Sequence, residues 1–110
     1  QLVGPAKTKE LFFTGRRIQS SEALALGIFN QVVEDAAFPE AVSELASQIA
    51  SGPPIALGYM KENINSAIES SLQNNLAREA DRLMRCAATD DHKEAVAAFM
   101  EKRPPVFTGK

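Results

Sequence analysis

The chain has 110 residues, 45% hydrophobic and 24% charged, with twelve Lys and Arg against fourteen Asp and Glu. That length holds one domain at most, near the lower limit of a self-sufficient core, and a net charge of -2 gives no electrostatic footprint for DNA or RNA. No apolar run approaches the ~20 residues of a membrane span, and the N-terminus lacks the basic-then-apolar layout of a signal peptide. Cys86 cannot form an internal disulfide and His92 cannot by itself make a zinc site, so the expected setting is a reducing one, the cytoplasm. From Gly4 and Pro5, the segment Ala6 to Phe13 reads as a short helix, with Pro5 tolerated in its first turn and Gly15 as a left-handed stop after Thr14. A second helix is expected over Ser21 to Leu26, capped by Ser20 or Ser21, carrying Glu22 in its first turn and ended by Gly27. Ile28 to Val33 (IFNQVV) is β-branched and partly alternating, hence a short extended segment or a strand whose partners lie elsewhere. Together with a start at Gln1 in place of Met, this suggests a fragment of a longer chain.

Beyond Val33 the periodicity is cleaner. Phe38, Ala41, Val42, Leu45, Ala46 and Ile49 repeat at three and four, predicting an amphipathic helix over Pro39 to Ala50. Pro54 can open the next, with Leu57, Met60, Ile64, Ala67 and Ile68 in one stripe and Lys61, Glu62 and Glu69 outside it. Ser70 followed by Gln73 is a capping-box signature for a helix whose apolar face is Leu72, Leu76, Ala80, Leu83, Met84 and Ala87. The last helix starts at Thr89, with Asp90 and Asp91 against its positive end, and runs about three turns to Lys102, where Pro104 and Pro105 force it to stop. On it Phe99 and Lys102 are three apart, an aromatic ring beside a mobile cation. The plainer reading of the same residues packs Val96, Phe99 and Met100 into a core and leaves Lys102 and Arg103 in water.

The fold class is therefore mostly α, about five to six helices with at most one short strand. Its stripes exceed what so small a bundle can satisfy, so some are expected to face other chain segments or other subunits. Glu40 and Glu44, Glu62 and Glu69, and Asp90, Asp91 and Glu94 are candidate acid/base pairs, but they read better as solvated faces, because catalytic carboxylates need burial or a charged neighbour. Glu79 beside Arg78 and Arg82, with Arg85 further on, reads as an ion network, and Cys86 as a small buried hydrophobe. His92 has no triad partners, and GPAK and SGPP lack the spacing of a phosphate-cradling loop.

In order, GPAKTKELFFTGRRI, EALALGIFNQVV, ASQIASGPPIALGYMKENIN and TDDHKEAVAAFMEKRPPVF resemble the C-terminal part of the enoyl-CoA hydratase/isomerase (crotonase) family, most of all its enoyl-CoA hydratases. The resemblance covers essentially the whole chain. It implies that residues 1–36 end a spiral α/β core and that residues 37–110 form a helical region that packs between subunits of a homo-trimer or hexamer. The substrate it implies is an acyl-CoA thioester, with no separate cofactor, no nucleic acid and no membrane partner. The family's oxyanion hole and two catalytic glutamates belong upstream of Gln1, so no catalytic residue is assigned here and the chain alone is expected to be inactive. Phe99 and Lys102 fall on positions that lie against the CoA of a neighbouring subunit, the ring along the nucleotide and pantetheine arm and the ammonium near phosphate. The family's alternatives are enoyl-CoA isomerases and ring-epoxide CoA isomerases, and outside it a stand-alone helical self-association module. Gln19 stands where the family usually has a better capping residue, a role expected to pass to Ser20 or Ser21.

Overall fold

Proline and glycine set most helix boundaries in the computed structural model, which describes residues 2–110. The described residues form α1 (Gly4–Thr14), α2 (Ser20–Ala25), a 3-10 turn (Asp35–Ala37), α3 (Phe38–Ala50), α4 (Pro54–Ala67), α5 (Leu72–Ala87) and α6 (Asp90–Glu101). They contain no strand: Ile28 to Val33 has no ladder partner among the described residues, and the Ile28 N–H instead donates to the Ala23 carbonyl at 2.9 Å. The chain divides into two compact units, Gln1–Ser43 and Glu44–Lys110, with the boundary inside α3.

In the first unit α1 ends as expected, on Gly15 at φ 59, whose N–H returns to the Leu11 carbonyl. A side chain there would be forced into the left-handed region that glycine occupies freely. Arg16 comes next and joins the two helices, its guanidinium reaching Glu10 of α1 at 2.9 Å and Glu22 of α2 at 2.8 Å. Hydrogen bonds from Lys7 and then Arg16 hold Glu10 below the usual carboxylate range, and Arg16 does the same to Glu22. The cap of α2 differs from expectation. Gln19 occupies the cap position with no side-chain bond, and Ser20 and Ser21 both lie inside the helix. The Gln19 carbonyl accepts from the Ala23 N–H at 3.0 Å, and that backbone bond starts the helix without a hydroxyl.

In the second unit Gly52 lets the chain turn tightly between α3 and α4, since a Cβ there would meet the Leu57 side chain at 3.0 Å. The cap of α5 lies one residue later than the Ser70–Gln73 pattern suggests. Ser71 accepts from the Asn74 N–H at 3.2 Å, while Ser70 is drawn into the end of α4 by donating its N–H to the Ser66 carbonyl. α5 packs against both α4 and α6. Arg82 joins α5 to α4, pairing with Glu62 at 2.6 Å and lying 4.4 Å from the centre of the Tyr59 ring. The expected network around Glu79 is thus replaced by an inter-helix pair on Glu62 and an Arg85–Asp81 pair along α5. Both are solvent-exposed enough to be worth at most about 1 kcal/mol each.

The apolar stripes are where the sequence puts them, but the chain leaves them open. Met60, Ile64, Leu76, Leu83 and Met84 are all more than half exposed, and the buried hydrophobic residues are alanines, Ala23 and Ala98. A Leu, Ile or Met side chain gains about 1.5–3 kcal/mol on going from fully exposed to fully buried, so the exposed parts of these five leave a sizeable further gain for association.

Candidate functional site

The last helix and the tail after it form one locally complete structure. Thr89 starts α6 as expected, its hydroxyl accepting from the His92 N–H at 3.1 Å while donating to the Cys86 carbonyl at 2.7 Å. Two further first-turn donors, the N–H groups of Asp90 and Asp91, are taken by the Lys110 carbonyl at 2.7 and 3.1 Å. The tail therefore folds back to the start of the helix it follows.

That return corrects two readings. Asp91 is not solvated: it is 3% exposed, and its carboxylate accepts from the backbone N–H of Thr108 at 2.7 Å and of Gly109 at 3.0 Å. Glu94, one turn on along the same face, binds Arg103 through both oxygens and accepts from the Val106 N–H at 2.9 Å. The Arg103 bonds first, and the Val106 N–H second, push the Glu94 carboxyl down to about 2. An unfolded glutamate titrates near ~4.3, so this pair contributes stability that is fully present above that pH and is lost as pH falls towards 2. Arg103→Met is accordingly expected to flatten the decline of the urea midpoint between about pH 5 and pH 2. An unchanged decline would assign it to other carboxylates.

On the opposite side α6 is bare. Val96, Phe99 and Met100 are 51%, 82% and 75% exposed, so this chain does not pack them into a core of its own: the tail occupies another face, and none of the described residues encloses this one. The helix also ends one residue earlier than expected, at Glu101. Lys102 stands just past it in the left-handed conformation at φ 56, the sole non-glycine residue at positive φ among the described residues. Its N–H donates to the Phe99 carbonyl at 3.3 Å, and the Arg103 N–H donates to the Ala98 carbonyl at 3.0 Å, the paired bonds of a Schellman ending. Glycine is the usual occupant of that position, because a side chain there costs about 1 kcal/mol. A lysine held where glycine is favoured is uncommon, and that makes its side chain a candidate for function. Among the described residues its ammonium takes part in no ion pair, and its backbone is bonded directly to that of Phe99.

Phe99 and Lys102, the two residues singled out by resemblance, thus share an exposed helix end. The sequence reading places Asp91 and Glu94 on solvated faces and Arg103 in water, although a signal for their pairing is present. Pro104 and Pro105 reverse the chain, and a returning tail meets whatever stands at i and i+3 on the helix it follows.

Cys86 is half-buried and not fully enclosed. It lines a cavity of about 100 Å³ beneath the tail, together with His92, Ile55 and Phe107. That volume is well below the ~300–1,000 Å³ of ligand pockets, so the open face of α6 is the better candidate for contact with a large molecule. Among the described residues no three His, Cys, Asp or Glu side chains converge to hold a metal ion, and no helix is long and apolar enough to cross a membrane.

Comparison with known proteins gives the same family as the motifs. The short-chain-enoyl-CoA hydratase of Clostridium acetobutylicum is 37% identical over 103 residues, 94% of this chain and 40% of that protein. The 1,2-epoxyphenylacetyl-CoA isomerase of Escherichia coli K12 is 34% identical over all of this chain and 42% of its own. The crystal structure of enoyl-CoA hydratase from Bacillus anthracis superposes with a TM-score of 0.94 at 38% identity, covering 99% of this chain and 42% of that one. The chain thus spans about two fifths of the length of the relatives it matches. The family described as enoyl-CoA hydratase/isomerase matches residues 1–110 from end to end, and to that family the chain belongs.

Proposed function

We propose that the chain is the C-terminal, CoA-contacting and subunit-packing part of an enoyl-CoA hydratase, an enzyme of fatty-acid β-oxidation that adds water reversibly and syn to a 2-enoyl-CoA. In this reading residues 1–36 close the spiral core and residues 37–110 pack between subunits of a trimer or hexamer. The two glutamates that activate water and deliver the proton, and the N–H pair that stabilises the enolate-like transition state, lie in the preceding part of the protein. Phe99 walls the nucleotide and pantetheine arm of the CoA bound by a neighbouring subunit, and Lys102 meets a phosphate. The observation that carries this is the exposed pair itself, a bare phenylalanine beside a lysine kept in a left-handed conformation.

In the full-length enzyme Lys102→Ala is expected to raise KM for crotonyl-CoA by roughly five- to a hundred-and-fifty-fold with little change in kcat, the loss of about 1–3 kcal/mol from one charge-assisted contact. A crotonyl thioester of pantetheine, which lacks the phosphates, should show no such difference between the two enzymes. An unchanged KM for crotonyl-CoA would remove Lys102 from the site. A second reading, isomerisation of a CoA thioester, is supported by the match to the epoxyphenylacetyl-CoA isomerase, and it leaves the role of Phe99 and Lys102 as it is.

A further inference from the structure

We infer that Glu94 is a positioning residue for Lys102: through Arg103 and the Val106 amide it locks the turn that aims the lysine. This rests on the reading of Lys102 as a CoA contact. The geometry is a closed latch. One Glu94 carboxylate spans both terminal nitrogens of Arg103, at 2.5 and 2.9 Å, and also accepts the Val106 N–H at 2.9 Å. Arg103 is fixed a third time by Glu101, which its Nε meets at 2.6 Å, and a fourth by its own N–H on the Ala98 carbonyl. Lys102 thus lies between a helix end and a residue held by side chain and backbone alike, with the segment beyond Pro105 tied to the same carboxylate.

A lysine at φ 56 does not stay there by its own preference. Released, it falls into the right-handed or extended region. A change of φ from 56 to about −60° turns its Cα–Cβ bond by roughly 115° about N–Cα. The side chain then leaves the helix end in a different direction from the one it has at φ 56. The latch is therefore what converts a flexible cation into a directed one, and removing it affects ligand affinity before it affects chemistry.

The test is a double-mutant cycle in the full-length enzyme with crotonyl-CoA, using Glu94→Gln, Lys102→Ala and the pair. Glu94→Gln keeps the shape and gives up the two-pronged charged bond. It is expected to raise KM about three- to tenfold with kcat within about twofold, and to add nothing in the Lys102→Ala background. Arg103→Lys, which opens the latch from its other side, should repeat the effect, while Asp90→Asn, removing an exposed carboxylate paired only with Lys93, should leave KM alone. The inference is overturned if Lys102→Ala raises KM and Glu94→Gln does not, or if the two effects multiply. Should Lys102→Ala itself be silent, the CoA reading of Lys102 fails and takes the inference with it. The two failures are distinct: the inference alone fails with Lys102→Ala still raising KM, and the CoA reading fails with Lys102→Ala leaving KM unmoved.

Discussion

Replacing Asp91 by Ala in the full-length protein is expected to lower its stability by about 2–6 kcal/mol, the sum of two backbone donors left unpaired at about 1–3 kcal/mol each. The donors are the N–H groups of Thr108 and Gly109, whose acceptor is a carboxylate only 3% exposed, so water cannot readily replace it. Asp91→Asn should be nearly as costly. Its amide keeps one acceptor oxygen for Thr108 but turns an NH2 towards the Gly109 N–H, donor against donor. The tail then loses its anchor at the start of α6, and with it the Lys110 carbonyl that takes the Asp90 and Asp91 N–H groups. Urea midpoints give the size of the loss, and amide exchange gives its place. Thr108 and Gly109 should lose protection first, ahead of the middle of α6. A loss below about 1 kcal/mol with those two amides still protected would mean the tail is held by packing of Phe107 and not by Asp91.

The contrast between Asp91 and Lys102 shows what sequence reveals and what it conceals here. Helix existence was legible because proline, glycine and a three-four apolar repeat are local signals. Pro54, Gly15 and Thr89 each act where pattern alone places them. Caps were less legible, since Ser70 and Ser71 are chemically alike and the choice between them was made by a bond from Ser70 to the Ser66 carbonyl, outside the helix being capped. Burial of Asp91 was not legible from its own helix. Two adjacent aspartates at a helix start look solvated until a tail seventeen residues downstream returns to one of them. The same return accounts for Phe99 and Met100 staying open: the inward face of α6 is shared by α5 and the chain's own tail, and Phe99 and Met100 lie outside it. For Lys102 the resemblance supplied the residue, while the left-handed backbone that makes it unusual came from the Schellman ending and the Glu94–Arg103 pair.

Substituting Leu76 and Leu83 together by Glu is expected to dissociate the assembled enzyme, in the reading that α5 packs against another subunit. The two residues are seven apart, two turns on one face of α5, and they remain 55% and 67% exposed within the chain. Covering the exposed remainder of both gains about 3 kcal/mol, and forcing two carboxylates into the same contact reverses the sign and adds a desolvation cost. A weakening of at least a hundredfold in subunit association follows, because each 1.4 kcal/mol is about a factor of ten. Light scattering across a dilution series should show the mass of the double variant falling to that of single subunits at concentrations where the parent holds together. The contrary result is equally definite. If the mass is unchanged while the urea midpoint falls, the face of α5 is covered by another segment of its own subunit, and the subunit contact must be sought on other open faces such as that of Met60 and Ile64 on α4.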